Sequence, residues 1–139
     1  MEVFKALGKP VRPDLSGGPS PDVLELIPWS SDDDEEVVVE LRCTEFTSLC
    51  PVTGHPDFGE LVVRYAPKDS LLETKSVKLF LASYRNVGGF NESLTREIAR
   101  HLFNKCHPRW LSVQSGFNVR GGIAPGAFVR LAQEDRSNE

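Results

Sequence analysis

With 139 residues and a formal net charge of −4, the chain can bury one core and carries no overall attraction for nucleic acid. Apolar residues make up 40% and charged residues 26%, the balance of an ordinary globular domain. No apolar run approaches the roughly 18 residues of a membrane span, and the apolar stretch in Met1–Gly8 is too short for a signal peptide.

Residues 1–34 contain Pro10, Pro13, Gly17, Gly18, Pro19, Pro21 and Pro28, which predicts an extended N-terminal arm ahead of a single catalytic domain over 35–139. Leu24, Leu26, Ile27 and Trp29 alternate imperfectly and are suited to docking that arm on the main body. The run Asp32–Glu36 reads as a solvated acidic turn. Val37–Phe46 is β-branched, and Glu60–Ala66, ended by Pro67, predicts its partner strand. The loop between them reads as too long for a tight hairpin, and long ordered loops are often functional.

Ser70 and Glu73 have the spacing of a capping box, predicting a first helix with Ser70 as N-cap. Leu72, Ser76, Leu79 and Val77, Phe80, Tyr84 follow at helical spacing. A second helix is predicted from near Asn91 or Ser93, carrying Leu94, Ile98, Leu102 and Phe103 until Pro108 stops it. Trp110–Phe117 and Ile123–Leu131 predict two more strands around a Gly-rich turn, with Pro125 favouring an edge or a bulge. The order strand, strand, helix, helix, strand, strand specifies α+β: a four-stranded antiparallel sheet with two helices on one face. Its exposed edges invite assembly.

The three cysteines, Cys43, Cys50 and Cys106, are an odd number without a secretion signal, which predicts reduced thiols in the cytoplasm. Zinc is disfavoured, because Cys43 and Cys50 lack knuckle spacing and Cys106 adjoins His107. Cys50 lies before Pro51 in a segment of turn residues, so it reads either as an accessible nucleophile or as a small buried hydrophobe. Asp57 beside Pro56 reads as a general acid or as a turn-former. Lys75 and Lys78 share a helix face that either is solvated or, with Arg85 and the Arg120-Gly121-Gly122 turn, receives phosphates. Glu73 is accounted for by capping, Glu92 by the start of a helix, and His101 by packing beside the Leu94/Ile98 stripe.

Phe46-Thr-Ser-Leu-Cys-Pro-Val-Thr-Gly-His-Pro-Asp57, followed by Glu73-Thr-Lys-Ser-Val-Lys-Leu-Phe80 and Ser83-Tyr-Arg-Asn86, resembles the NADPH-dependent 7-cyano-7-deazaguanine reductases. These are the nitrile reductases of queuosine biosynthesis, a tRNA-modification pathway. The resemblance runs from about Val37 to Phe128. It implies that Cys50 attacks the nitrile carbon to give a thioimide and that Asp57 supplies a proton to nitrogen. Two successive hydrides from NADPH then yield 7-aminomethyl-7-deazaguanine. Substrate contacts are implied for Glu92, which reads the guanine-like edge, and for Asn91, Ser76 and Val77. Cofactor contacts are implied for Lys75, Lys78, Arg120 and Gly121. The implied fold is the tunnelling fold, whose subunits form stacked homo-oligomeric rings with active sites between them.

At Asn91 the chain departs from the family pattern, which has histidine there. Asparagine exchanges hydrogen bonds but does not titrate near neutral pH. Two other functions remain open: an amidine-forming transferase of the same fold acting on the nitrile base in tRNA, and a ring-forming protein that sequesters a pterin-like or purine-like base. The paired lysines and the acidic charge argue against the transferase.

Overall fold

The computed structural model describes residues 18–134 apart from 31 and 33, so most of the expected arm lies outside the described residues. A 3-10 turn at Pro21–Val23 leads into β1 (Leu26–Pro28), and the chain continues through β2 (Val39–Leu49), β3 (Pro56–Ala66) and β4 (Ser70–Leu72). Helices α1 (Thr74–Ala82) and α2 (Asn91–Cys106) follow, then β5 (Trp110–Phe117) and β6 (Gly126–Ala132). The architecture is α+β, with two helices and antiparallel sheets. The long strands form a four-stranded sheet in the order β2-β3-β5-β6, and β1 pairs with β4 in a separate two-stranded sheet.

Strand alternation decides which face is covered. Leu61, Val63 and Tyr65 on β3 and Leu111 and Val113 on β5 are all at most 1% exposed, while Glu60 and Gln114 face outward. Against the covered face α2 presents Leu94, Thr95, Ile98, Ala99, Leu102 and Cys106, a single stripe at helical spacing. α1 adds Val77, Phe80 and Leu81 to the same core. His107, in the left-handed region at φ 45°, closes α2 with its N–H on the Phe103 carbonyl at 2.9 Å. Leu24 is 2% exposed, and Leu26–Pro28 hydrogen-bond to Ser70–Leu72, so this part of the expected arm is built into the body.

Three local expectations need correction. Ser70–Leu72 is strand β4, so Leu72 belongs to a sheet and Ser70 caps no helix. Glu73 is itself the N-cap of α1, its carboxylate accepting the N–H groups of Lys75 at 2.8 Å and Ser76 at 2.7 Å. A β1 strand remote in sequence supplies better backbone partners than an extra helical turn would. The long loop between the first strands is short: pairing runs on to Leu49↔Pro56, leaving only Cys50–His55 as the turn. Asp57 therefore sits on β3, opposite Ser48. The last strand begins at Gly126, because Arg120–Ile123 closes a turn of its own first.

Candidate active site

The Cys50–His55 turn is tied at both ends. Cys50 N–H donates to the His55 carbonyl at 2.8 Å, and Gly54 N–H donates to the Cys50 carbonyl at 2.8 Å. Gly54 has φ 72°, a conformation that favours glycine. The segment before α2 is sewn to the same place. Leu49 N–H donates to the Val87 carbonyl at 2.9 Å, and Gly89 N–H donates to the Leu49 carbonyl at 3.3 Å. This short parallel bridge carries the start of α2, with Asn91 and Glu92, to the rim of the turn.

From the other side comes the β5–β6 connection. Asn118 N–H donates to the Phe58 carbonyl at 3.0 Å and so continues the β3–β5 pairing beyond the strand. The turn through Gly121 and Gly122, both at positive φ, then directs Arg120 back over β3. The Arg120 guanidinium forms an ion pair with Asp57 and donates to the Pro56 carbonyl at 3.3 Å. Asp57 is 8% exposed.

Together these segments enclose a cleft of about 360 Å³, walled by Cys50, Asp57, Phe90, Asn91, Glu92, Phe117 and Arg120 among others. Its chemistry centres on the thiol. The Thr53 hydroxyl, the backbone N–H groups of Thr53 and Val52 and the Arg120 side chain bring Cys50 down to about 7. Burial pushes the other two thiols up, Cys106 to about 12 and Cys43 above its ordinary value. Only Cys50 therefore holds a substantial thiolate fraction near neutral pH, and the thiolate is the nucleophile.

The structure thus brings Cys50, Asp57, Asn91, Glu92 and Arg120 together. Asn91 is the first residue of α2, whose N-cap is Phe90 with no side-chain bond, so asparagine does not cap this helix. Its Oδ1 is buried without a hydrogen-bond partner. Arg120, expected beside the cofactor, lies on Asp57 and the thiol; Gly121 shapes its turn. Ser76 and Val77 do not line this cleft. Ser76 is fully buried, donating to the Glu73 carbonyl at 2.7 Å and accepting from Glu25 N–H at 3.0 Å. Thr53 escaped the reading of the sequence, although its hydroxyl next to a reactive cysteine was a usable signal.

Lys75 and Lys78 lie on α1, outside the thiol cleft. Lys78 lines a separate groove of about 430 Å³ between β2 and α1, together with Arg42, Arg85 and Glu45 and the apolar Val63, Val77 and Leu81. Its three cations are donors suited to phosphates and its apolar residues to a flat base, so these residues fit a phosphorylated dinucleotide. His101 packs edge-on against Phe80 with ring centroids 5.8 Å apart. No cluster of His, Cys, Asp and Glu suited to a metal ion occurs among the described residues, and none of their helices is long and apolar enough to cross a membrane.

The family model described as QueF-like protein matches residues 56–136. The NADPH-dependent 7-cyano-7-deazaguanine reductase of Helicobacter pylori (strain G27) is 46% identical over 111 residues, 80% of this chain and 74% of that protein. Its namesake from Chelativorans sp. (strain BNC1) is 46% identical over 110 residues, 79% of this chain and 72% of that one. Among solved structures, the archaeosine synthase QueF-Like in its apo form superposes with a TM-score of 0.65. At 20% identity, covering 70% of this chain and 96% of the other, it shows the shared fold. The chain belongs to the QueF-like family.

Proposed function

We propose that this chain is an NADPH-dependent nitrile reductase converting 7-cyano-7-deazaguanine to 7-aminomethyl-7-deazaguanine. The observation that carries the proposal is a thiol brought to about 7 that shares one cleft with Asp57 and Glu92. A volume of about 360 Å³ suits a purine-sized ligand, and Phe90 and Phe117 offer apolar walls to a flat base.

In this reading the Glu92 carboxylate accepts the N–H donors of the guanine-like edge and Asn91 completes that contact. Cys50 thiolate attacks the nitrile carbon while Asp57 delivers a proton to the nitrogen, leaving a thioimide on sulfur. NADPH, when bound, supplies the two hydrides that, with one proton, take the thioimide carbon to the amine, the C–S bond breaking to return Cys50 as the thiolate. Lys75 and Lys78 hold its phosphates, and Arg120 and the Gly121 turn border the thiol.

Because α1 lies outside the thiol cleft, the reading includes a homo-oligomer of stacked rings, in which the start of one copy's α1 approaches its neighbour's cleft. Ser76 and Val77 offer backbone atoms there, because their side chains are buried in their own subunit. The domain division is an arm over 1–34 and a catalytic body over 35–139. Three free thiols suit the cytoplasm, where the product feeds tRNA modification while the protein itself takes the free base.

Mixing protein, 7-cyano-7-deazaguanine and NADPH tests the proposal. Reduced-nicotinamide absorbance should fall, with two NADPH consumed per amine formed. Adduct formation without NADPH consumption would favour the amidine-forming transferase. Neither signal would leave a base-sequestering protein.

A further inference from the structure

The β2–β3 ladder sets Ser48 directly opposite Asp57. Both side chains point to the covered face: Phe46 and Ser48 are buried on β2, and Asp57 is buried on β3 between exposed Pro56 and Phe58. Directly opposed residues on one face have Cβ atoms about 4.5–5.5 Å apart. Ser48 is 0% exposed, and its Oγ is without a hydrogen-bond partner. A buried hydroxyl in that condition costs stability that alanine would not.

Asp57 is meanwhile held by Arg120. In that ion pair Asp57 is a carboxylate with no proton to give, yet a general acid must carry one when the nitrile nitrogen needs it. The same side chain therefore needs a second partner for its protonated form. A serine hydroxyl both donates and accepts, so it serves either protonation state.

We infer that Ser48 is a positioning residue for Asp57, whose carboxyl it takes over when Arg120 lets go. This rests on the function proposed above. In the step it supports, the Cys50 S–C bond forms and one C–N π bond breaks. The Asp57 proton passes to nitrogen, and the charge lost from sulfur reappears on the Asp57 carboxylate, which Arg120 pairs again.

The experiment compares wild type with Ser48→Ala for thioimide formation, steady-state NADPH oxidation across pH, and melting temperature. The expected variant melts no lower than wild type, keeps the substrate KM and loses about tenfold in kcat, the upper end of what one hydrogen bond between neutral groups contributes. The alkaline limb of its pH profile moves to lower pH, because the protonated acid has lost its acceptor. In an Asp57→Asn background, Ser48→Ala should cost little more, since the two act as one unit. A lower melting temperature with unchanged kcat and pH profile overturns the inference, as does a full tenfold loss in the Asp57→Asn background. A wild type that forms no thioimide overturns the underlying reading as well; an active wild type with an indifferent Ser48→Ala overturns this inference alone.

Discussion

The β2–β3 hairpin divides at the register shift between Cys43 and Phe46 into halves built on opposite rules. In one half, Val39, Leu41 and Cys43 face Tyr65, Val63 and Leu61 in turn, and nearly everything turned inward is apolar. The Tyr65 hydroxyl there has a defined task, accepting the Leu72 N–H at 3.0 Å to hold β4. In the other half the inward positions include Ser48 and Asp57, polar groups that a packed core disfavours. One ladder thus supplies a core wall and, beyond its irregularity, a platform for chemistry. On the proposed function, stability and reactivity are separated along a strand.

Substitutions on either side of that divide should fail in different ways. Cys50→Ala carries the largest expected effect: intact-protein mass spectrometry should find no nitrile adduct and turnover should vanish, with melting unchanged. Cys43→Ala and Cys106→Ala should both keep the adduct, and one that persists in Cys50→Ala would undo the assignment. Leu61→Ala, on the core side, should lower stability by about 2–5 kcal/mol in denaturant unfolding. Folded Leu61→Ala protein should still form the adduct; if adduct formation failed at full folding, the two halves would not be separable.

Asp57→Asn should reduce turnover by roughly 10²-fold with little change in melting. The subtlest effect concerns Thr53, the largest cause of the low Cys50 value. Adduct formation should rise with pH through about 7, where thiol becomes thiolate, and then level off. Thr53→Ala removes a donor to the thiolate, so its midpoint should move toward the ordinary cysteine value of about 8.5. The variant would then be slower at neutral pH and equal to wild type on the alkaline plateau. An unmoved midpoint would shift the credit to the backbone N–H groups and Arg120.

Periodicity made much of the fold legible before any coordinates. The Leu94, Ile98 and Leu102 stripe marks α2, and the Val- and Leu-rich runs mark the central strands. What misled was local chemistry overruled by remote partners. Ser70-Leu71-Leu72-Glu73 has the residues of a capping box, but Leu26–Pro28 draws its first part into a strand. Pro56 and Asp57 read as loop residues, yet pairing with Leu49 and Ser48 makes both part of β3. In the site, Cys50, Asp57 and Glu92 were legible through a motif. The Arg120–Asp57 pair was not, because nothing along the chain links a Gly-rich turn to an aspartate on another strand.

The hydrogen bonds of Leu49 to Val87 and Gly89 have one more consequence. They clamp the residue preceding Cys50 to the segment that begins α2, so Cys50 and Glu92 ride on one hydrogen-bonded piece of backbone. For the proposed reaction this works as a ruler. A base seated on Glu92 offers its electrophile to sulfur only if the span between recognition edge and reactive carbon matches a separation set by backbone. Analogues with the nitrile moved outward by a methylene should still dock and yet stay unreacted, so selectivity for length would reside in two peptide groups rather than in any side chain.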